Sequence, residues 1–299
     1  MSQARNSGGN RRNRHHYHSN KPKINVGDKG REVVENIDDN SPVIQQFRGY
    51  ALQLDSKHDR YERIVKISRD ITIESKRIIF LLHTIDKESK RETVLAEAKT
   101  RIDALTNSLF KGIACELDGQ DPYQFIRAYR GGVQEFIEAV TFYYYLLDNS
   151  LPHWEIFDQT FEYQIEGKGE PTGEDPEVKV NTVRTLLPPS EYILGIADLT
   201  GELMRKCINN LATGEISSCY QTCNVVREMY KGFLGCYGTA GKEVNKKVYT
   251  LKQSLAKIEN VCYMIKVRGS EIPKHMLAEV AISAGEEYPT EDDEGYQGF

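Results

Sequence analysis

The chain has 299 residues, of which 39% are hydrophobic and 28% are charged, so it can bury one large core or two ordinary ones. Its formal net charge of -5 excludes a protein that coats its whole surface with Lys and Arg to bind nucleic acid, but it is compatible with a basic groove or a basic partner subunit. No run of residues approaches the ~20 apolar residues of a membrane span, so we expect no membrane contact.

The first 40 residues are polar and basic. They contain few large apolar side chains and many Asn, Arg, His and Gly, which predicts a disordered N-terminal segment over residues 1–40. A basic cluster in this segment is typical of a nuclear-import signal, of a nucleic-acid-binding arm, or simply of a solvated tail: Arg11, Arg12, Arg14, Lys21 and Lys23. No hydrophobic signal sequence precedes the six cysteines, which we interpret as reduced core residues. We therefore expect the protein in the cytoplasm and the nucleus.

Helical periodicity begins after this segment. Ser41 can cap the first amides of a helix, and Pro42 is tolerated in the first turn because its missing N–H has no partner there. Apolar residues then recur every three or four positions as far as Ile85, which predicts a first helix of about 45 residues. Basic residues are interleaved with this stripe at Arg60, Arg63, Lys66, Arg69, Lys76 and Arg77. They are typical of a solvated face and would form a groove only if the same helices acted on nucleic acid.

Further helical patterns cover residues 93–114, 121–147, 188–210, 216–234 and 243–266, and an aromatic stretch at 151–163 favours one more short helix. No alternating strand pattern and no Asn-Gly hairpin signal occurs, so we predict an all-α bundle of six or seven helices without a sheet. This helical domain spans 41–282. A Gly- and Pro-containing stretch at about 164–187 is predicted to be a flexible insertion, and the acidic residues 283–299 to be a disordered tail.

Two of these helices carry acidic pairs beside their apolar stripes. Glu135 and Glu138 are three residues apart, and Asp198 and Glu202 are four residues apart, so each pair lies on one helical face. Glu135, Glu138 and Asp198 have no Lys or Arg at i+4, the position that is typical of surface ion pairs. Arg205, two turns after Asp198, could bind a substrate phosphate or neutralise the acids.

If the two helices face each other, four carboxylates meet with little positive charge nearby, and such a cluster would bind a divalent cation. Oxygen ligands favour Mg²⁺, or Mn²⁺ in its place, over Zn²⁺. We therefore predict that Glu135, Glu138, Asp198 and Glu202 are metal ligands and catalytic residues for phosphodiester hydrolysis. The ion would bind a phosphate oxygen, lower the pKa of a bound water and offset charge on the leaving oxygen.

Other sites are less well supported. Cys219 and Cys223 are one turn apart but have no histidine nearby, which argues against zinc. The glycines at 235–241 lack the spacing of a phosphate-binding loop, so we interpret them as an inter-helix turn. Tyr143, Tyr144 and Tyr145 would either stack on unpaired bases or pack in the core.

Three stretches of the chain resemble the translin-associated factor X branch of the translin family. In order they are YERIVKISRDITIESKRIIFLLH (61–83), YILGIADLTGELMR (192–205) and YTLKQSLAKIENVCYMIKVRGSEIPKHML (249–277). The resemblance covers about residues 41–280 and implies an elongated seven-helix subunit that assembles with translin into a closed hetero-oligomer. It also implies a magnesium-dependent endoribonuclease that acts on single-stranded RNA, promotes RNA silencing by degrading passenger-strand fragments, and trims tRNA precursors.

In that family the catalytic acids lie in Q-E-x-x-E-A and A-D-L-T-G-E segments, which here contain the same four acids. The partners implied are translin, single-stranded RNA or DNA, and the silencing machinery. Candidate RNA-binding residues are Arg69, Lys76, Arg77 and Arg205. The alternative is a non-catalytic scaffold or nucleic-acid-binding partner of translin, whose acids make only structural contacts.

Overall fold

The computed structural model describes residues 38–85, 88–166, 180–213, 215–236, 238, 241–269 and 271. Its α-helices are Pro42–Leu82 (α1), Glu88–Leu105 (α2), Lys111–Leu117 (α3), Ile126–Asp148 (α4), Trp154–Thr160 (α5), Pro189–Thr213 (α6), Ile216–Cys236 (α7) and Lys242–Arg268 (α8). A π-helical turn, Thr106–Phe110, joins α2 directly to α3, so these two form one continuous segment. The described residues therefore contain seven helical segments, which confirms the all-α prediction.

The chain divides into two compact units, and the boundary lies between Ser56 and Lys57. In the first unit, α1 begins at Pro42 as predicted, and the N–H of Gln45 donates to the carbonyl of Ser41 at 3.0 Å. The second unit contains the rest of α1, all later elements and the apolar core. None of the helices in the described ranges is both long and apolar enough to cross a bilayer.

Several predicted segments lie outside the described residues. These are the basic N-terminal cluster, most of the proposed insertion, at 167–179, and everything from 272 onwards, including the acidic tail. The predicted domain limits and tails therefore stay predictions.

A two-stranded antiparallel sheet corrects the prediction that the chain has no strand. Glu162–Glu166 (β1) pairs with Val180–Arg184 (β2), with Tyr163 opposite Val183. Only one residue of β2, Val183, is buried, so the strand is too short and too exposed to give a readable alternation. The two strands occupy both ends of the segment that we predicted as a flexible insertion.

The sheet also stabilises the π-helical turn. Tyr163 donates its hydroxyl to the carbonyl of Thr106 at 2.8 Å, and Thr185 donates to the carbonyl of Phe110 at 2.8 Å. Because a π turn breaks the regular hydrogen-bond ladder of the helix, these buried hydroxyls provide partners at its two ends. Phe110 also stacks on Phe161, with ring centroids 4.4 Å apart.

The helix starts and turns follow the predicted signals with one shift. Asp121 caps only a short 3₁₀ turn, by accepting from the N–H of Tyr123 at 3.1 Å, and α4 begins at Ile126. The glycine-containing stretch between Cys236 and Lys242 connects α7 to α8, which confirms an inter-helix turn there.

Two glycines allow the central helices to approach closely. α4 packs against α6, and α6 packs against α7 and α8. A Cβ added to Gly132 of α4 would lie 2.8 Å from the carbonyl oxygen of Ser68 in α1. A Cβ added to Gly195 of α6 would lie 2.7 Å from the Cβ of Ile137 in α4. Any larger residue at either position would push α4 away from its neighbour.

Candidate active site

The four predicted acids lie on the two helices that Gly195 brings together. Glu135 and Glu138 of α4 flank Ile137, the residue that Gly195 contacts, and Asp198 follows Gly195 by one turn of α6. All four acidic side chains are partly buried. The structure thus places the two pairs on facing helices, as the sequence predicted.

Glu138 is the acid most affected by this arrangement. Burial, followed by the negative charges of Asp198, Glu202 and Glu135, raises the pKa of Glu138 to about 8. Lys247 acts in the opposite direction but only partly offsets these effects. Since all three other acids act on Glu138, the four carboxylates form one electrostatic cluster, and near neutral pH Glu138 holds a proton unless a further cation enters.

The prediction that this cluster lacks nearby positive charge is wrong. Lys76 of α1 lies 3.2 Å from Glu135, Lys247 of α8 contacts Asp198, and Arg205 lies 3.3 Å from Glu202. Lys76 and Lys247 come from other helices, so spacing along α4 or α6 could not reveal them. Arg205 pairs with Glu202, three residues earlier, rather than with Asp198.

His83 is a further member of the site that sequence reasoning missed. It directly follows α1, and its Nε2 lies 2.5 Å from Oε2 of Glu202. Its ring packs on Phe142 with centroids 4.8 Å apart, and its side chain is largely buried. The available signal was a polar residue at the end of the apolar run IIFLL, on the helix that supplies Lys76.

A second buried contact joins α4 to the first turn of α6. Gln134 donates from Nε2 to Oε2 of Glu191 at 2.5 Å, and Glu191 is buried. A carboxylate in the first turn is also favoured by the positive end of the helix dipole. This contact holds α6 to α4 immediately before the acidic pairs.

The acid cluster has the donor chemistry for magnesium, although it is not arranged around an ion. In the part of the chain that the structure describes, no group of three or more His, Cys, Asp or Glu side chains is placed to hold a metal ion. Partly buried carboxylate oxygens are nevertheless the ligands that Mg²⁺ and Mn²⁺ prefer. Cations already pair with Glu135, Asp198 and Glu202, so binding of an ion requires these pairs to open.

The predicted RNA-binding residues divide into two groups. Lys76 and Arg205 are at the acid cluster, through their pairs with Glu135 and Glu202. Arg69 is exposed on α1, and Arg77 pairs with Glu74 at 3.1 Å.

The tyrosines considered as stacking residues mostly belong to the core. Tyr143 and Tyr145 are each 6% exposed, and the hydroxyl of Tyr145 shares a hydrogen bond with Thr222. Tyr144 is partly buried and packs edge-on against Tyr143. Core packing, the second of the two alternatives, is therefore the role of Tyr143 and Tyr145.

Comparison with known proteins gives one consistent family. The sequence profile of the Translin family matches residues 59–269. Translin-associated protein X of Pongo abelii is 42% identical over 284 residues, covering 94% of this chain and 95% of that protein. Translin-associated protein X of Mus musculus is 46% identical over 244 residues, covering 80% and 84%. A homolog of that protein in Schizosaccharomyces pombe is 26% identical over 223 residues, covering 73% and 86%.

Two solved structures share the fold. The structure of apo-NeC3PO is 20% identical, with a TM-score of 0.52 over 73% of this chain and 94% of its own. The structure of an AfC3PO complex with duplex RNA is 17% identical, with a TM-score of 0.53 over 79% and 97%. At this identity the likeness concerns the fold, and it confirms the predicted bundle type.

Proposed function

The chain belongs to the translin family, and we propose that it is the catalytic subunit of a magnesium-dependent endoribonuclease that cleaves single-stranded RNA in a hetero-oligomer with translin. The observation that carries the proposal is the acid cluster, in which burial and then the negative charges of three carboxylates from two packed helices raise the pKa of a fourth, Glu138. Such a cluster is costly to maintain for structure alone, because each buried negative charge repels the others.

Glu135, Glu138, Asp198 and Glu202 would hold Mg²⁺, or Mn²⁺ as a substitute. When bound, the ion would polarise a phosphate oxygen and lower the pKa of a bound water. The chain's own cations would then be released from the acids. Lys76 and Arg205, whose side chains are largely exposed, could bind RNA phosphates beside the cluster.

The similar proteins support the proposed partner and the proposed class of substrate. Proteins that are 42% to 46% identical to this chain are translin-associated, and AfC3PO, which shares the fold, has been captured with duplex RNA. We propose translin as the oligomeric partner and single-stranded RNA as the substrate. Single-stranded DNA is a second ligand in this proposal, since phosphate contacts do not depend on the sugar.

In the cell, this activity would serve RNA silencing in the cytoplasm and nucleus. The complex would degrade passenger-strand fragments, in contact with the silencing machinery, and would trim tRNA precursors.

The test is cleavage of single-stranded RNA by the complex co-purified with translin, first with chelator and then with Mg²⁺ restored. We expect no cleavage in chelator and recovery with Mg²⁺. Equal cleavage in both conditions would reject the metal-dependent mechanism.

A second candidate function is a non-catalytic scaffold. It is favoured by the ion pairs at Glu135, Asp198 and Glu202, which are ordinary structural contacts between helices as they stand. If the chain is such a scaffold, substituting one of these three acids would disturb assembly and would cause no specific loss of cleavage.

A further inference from the structure

Phe80 is an exposed aromatic residue on α1, which between Lys57 and Leu82 exposes only one other large apolar side chain, Ile73. It is 75% exposed, whereas its neighbours Ile78, Ile79 and Leu82 are in the core. No other described Phe or Tyr is more exposed than Phe80. Covering this ring with a ligand would be favourable, because it would remove apolar surface from water.

Phe80 lies beside the acid cluster. It follows Lys76 by four residues and precedes His83 by three, so all three project from one face of α1 and its end. Lys76 lies 3.2 Å from Glu135, and His83 lies 2.5 Å from Glu202. The ring is therefore flanked, one helical turn away on each side, by residues that contact the proposed catalytic acids.

Positive charge continues along this face. Arg69, Ile73 and Lys76 follow one another at steps of four and three residues. Ile73 is about half exposed, and Arg69 is exposed. Arg77, next to Lys76, is also largely exposed. An exposed ring among Lys and Arg side chains is the combination that binds single strands, because bases stack on the ring and phosphates pair with the cations.

We propose that Phe80 is a stacking platform for an unpaired base of the RNA strand that lies at the acid cluster. The inference rests on the proposed function and adds a binding residue to it. A base can stack on this ring only when it is free of its own helix, so Phe80 favours single-stranded over fully paired RNA. Lys76 and Arg69 are placed to pair with phosphates on the strand's path along α1.

The experiment measures binding of a fluorescently labelled oligouridine to the translin complex in chelator, so that cleavage does not intervene. Phe80→Ala removes the ring. The matched control is Tyr263→Ala, which removes a 63% exposed ring from α8, sixteen residues after Lys247 and thus roughly 24 Å along the helix. We expect Phe80→Ala to weaken binding about 5- to 100-fold and Tyr263→Ala to change it less than about twofold.

A second variant separates stacking from a subunit contact. Phe80→Trp keeps an aromatic ring and reports its surroundings by fluorescence, after subtraction of the unsubstituted complex, which contains Trp154. We expect near-normal affinity, a solvent-exposed emission maximum without RNA, and quenching when oligouridine is added.

Four results would overturn the inference. Unchanged affinity in Phe80→Ala would show that the ring does not bind RNA. An emission maximum already shifted to the blue without RNA, or loss of assembly in Phe80→Ala, would assign the ring to the partner subunit. If the unsubstituted complex bound no RNA, the proposed function itself would fail, and the inference with it.

Discussion

Gly195 of α6 and Ile137 of α4 are in contact so close that a Cβ on the glycine would lie 2.7 Å from Cβ and 2.8 Å from Cγ2 of the isoleucine. Ile137 lies between Glu135 and Glu138 in sequence, and Gly195 precedes Asp198 by one turn. The separation of the two acidic pairs is therefore fixed by a glycine that bears no chemistry of its own. This approach helps to bury Glu138 and brings the other acids near it, and the two effects together raise the pKa of Glu138 to about 8.

Gly195→Ala should destabilise the protein by about 1 to 3 kcal/mol, because the added methyl group overpacks the contact with α4. Thermal melts of the complex would measure this. Gly201→Ala, in the same helix, is the control, since a Cβ there meets nothing within 4 Å. That control should be neutral or stabilising by up to about 1 kcal/mol. Equal melting temperatures for the two variants would contradict the close approach.

Glu138 makes stability depend on pH. Its pKa is raised from 4.5 to about 8 in the folded protein, so between these values the folded state holds a proton that the unfolded state has released. Stability without metal should therefore fall as pH rises from about 5 to 8 and level off above that range. Glu138→Gln should remove most of this fall, which amounts to roughly 3 to 5 kcal/mol at most.

Denaturant titrations in chelator across this pH range would measure the effect. The exposed Glu228, which pairs with Lys231 on the surface of α7, provides the control variant Glu228→Gln. That variant should keep the native pH dependence. If Glu138→Gln also kept the native pH dependence, Glu138 would not be the group whose pKa differs between the folded and the unfolded protein.

Lys247 competes with a metal ion for Asp198. Lys247→Met should lower stability in chelator, because Asp198 loses its counter-charge, and should strengthen Mn²⁺ binding several-fold, because no ion pair has to open. Mn²⁺ titration followed by electron paramagnetic resonance measures the affinity. Lys252→Met, at an exposed position of the same helix, should leave both quantities unchanged. Weaker Mn²⁺ binding in Lys247→Met would show that the lysine supports the site rather than competes for it.

His83 holds the partly buried Glu202. His83→Leu should destabilise the complex by about 1 to 3 kcal/mol, since the carboxylate loses its close partner at Oε2, and His83→Gln should recover part of this loss. Thermal melts at neutral pH would compare them with His153→Leu, at a largely exposed histidine that accepts from the N–H of Glu155 at 3.4 Å, which should cost about 0.5 to 1 kcal/mol. A similar small effect at both histidines would mean that the contact with Glu202 contributes little.

The spacing of apolar residues predicted most of the helices, because a helix returns to the same face every three or four residues. The apolar stripes gave the helices, and the facing of α4 and α6 brought together the acids that spacing had selected. The missed features depend on contacts distant in sequence. Lys76 and Lys247 reach the acids from other helices, and β2 buries only Val183, so it shows no period of two.

The exposure of aromatic residues was also difficult to predict from the sequence. Tyr143 and Tyr145 could have stacked on bases or packed in the core, and α4 is covered around most of its circumference and buries both. Phe80, in an apolar run that reads as core, is instead exposed, because positions 78, 79 and 82 already occupy the buried face of α1. How far the covered surface of a helix extends beyond its apolar stripe depends on the neighbouring helices, which local sequence does not report.

The central claim is that the four acids act in catalysis rather than in assembly. Its most direct test is Asp198→Asn in the translin complex, with three readouts: RNA cleavage in Mg²⁺, oligouridine binding in chelator, and assembly by size-exclusion chromatography. We predict a loss of cleavage of at least about 100-fold, comparable to the effect of removing one catalytic group, with binding and assembly retained. Normal cleavage, or a complex that no longer assembles, would contradict the account.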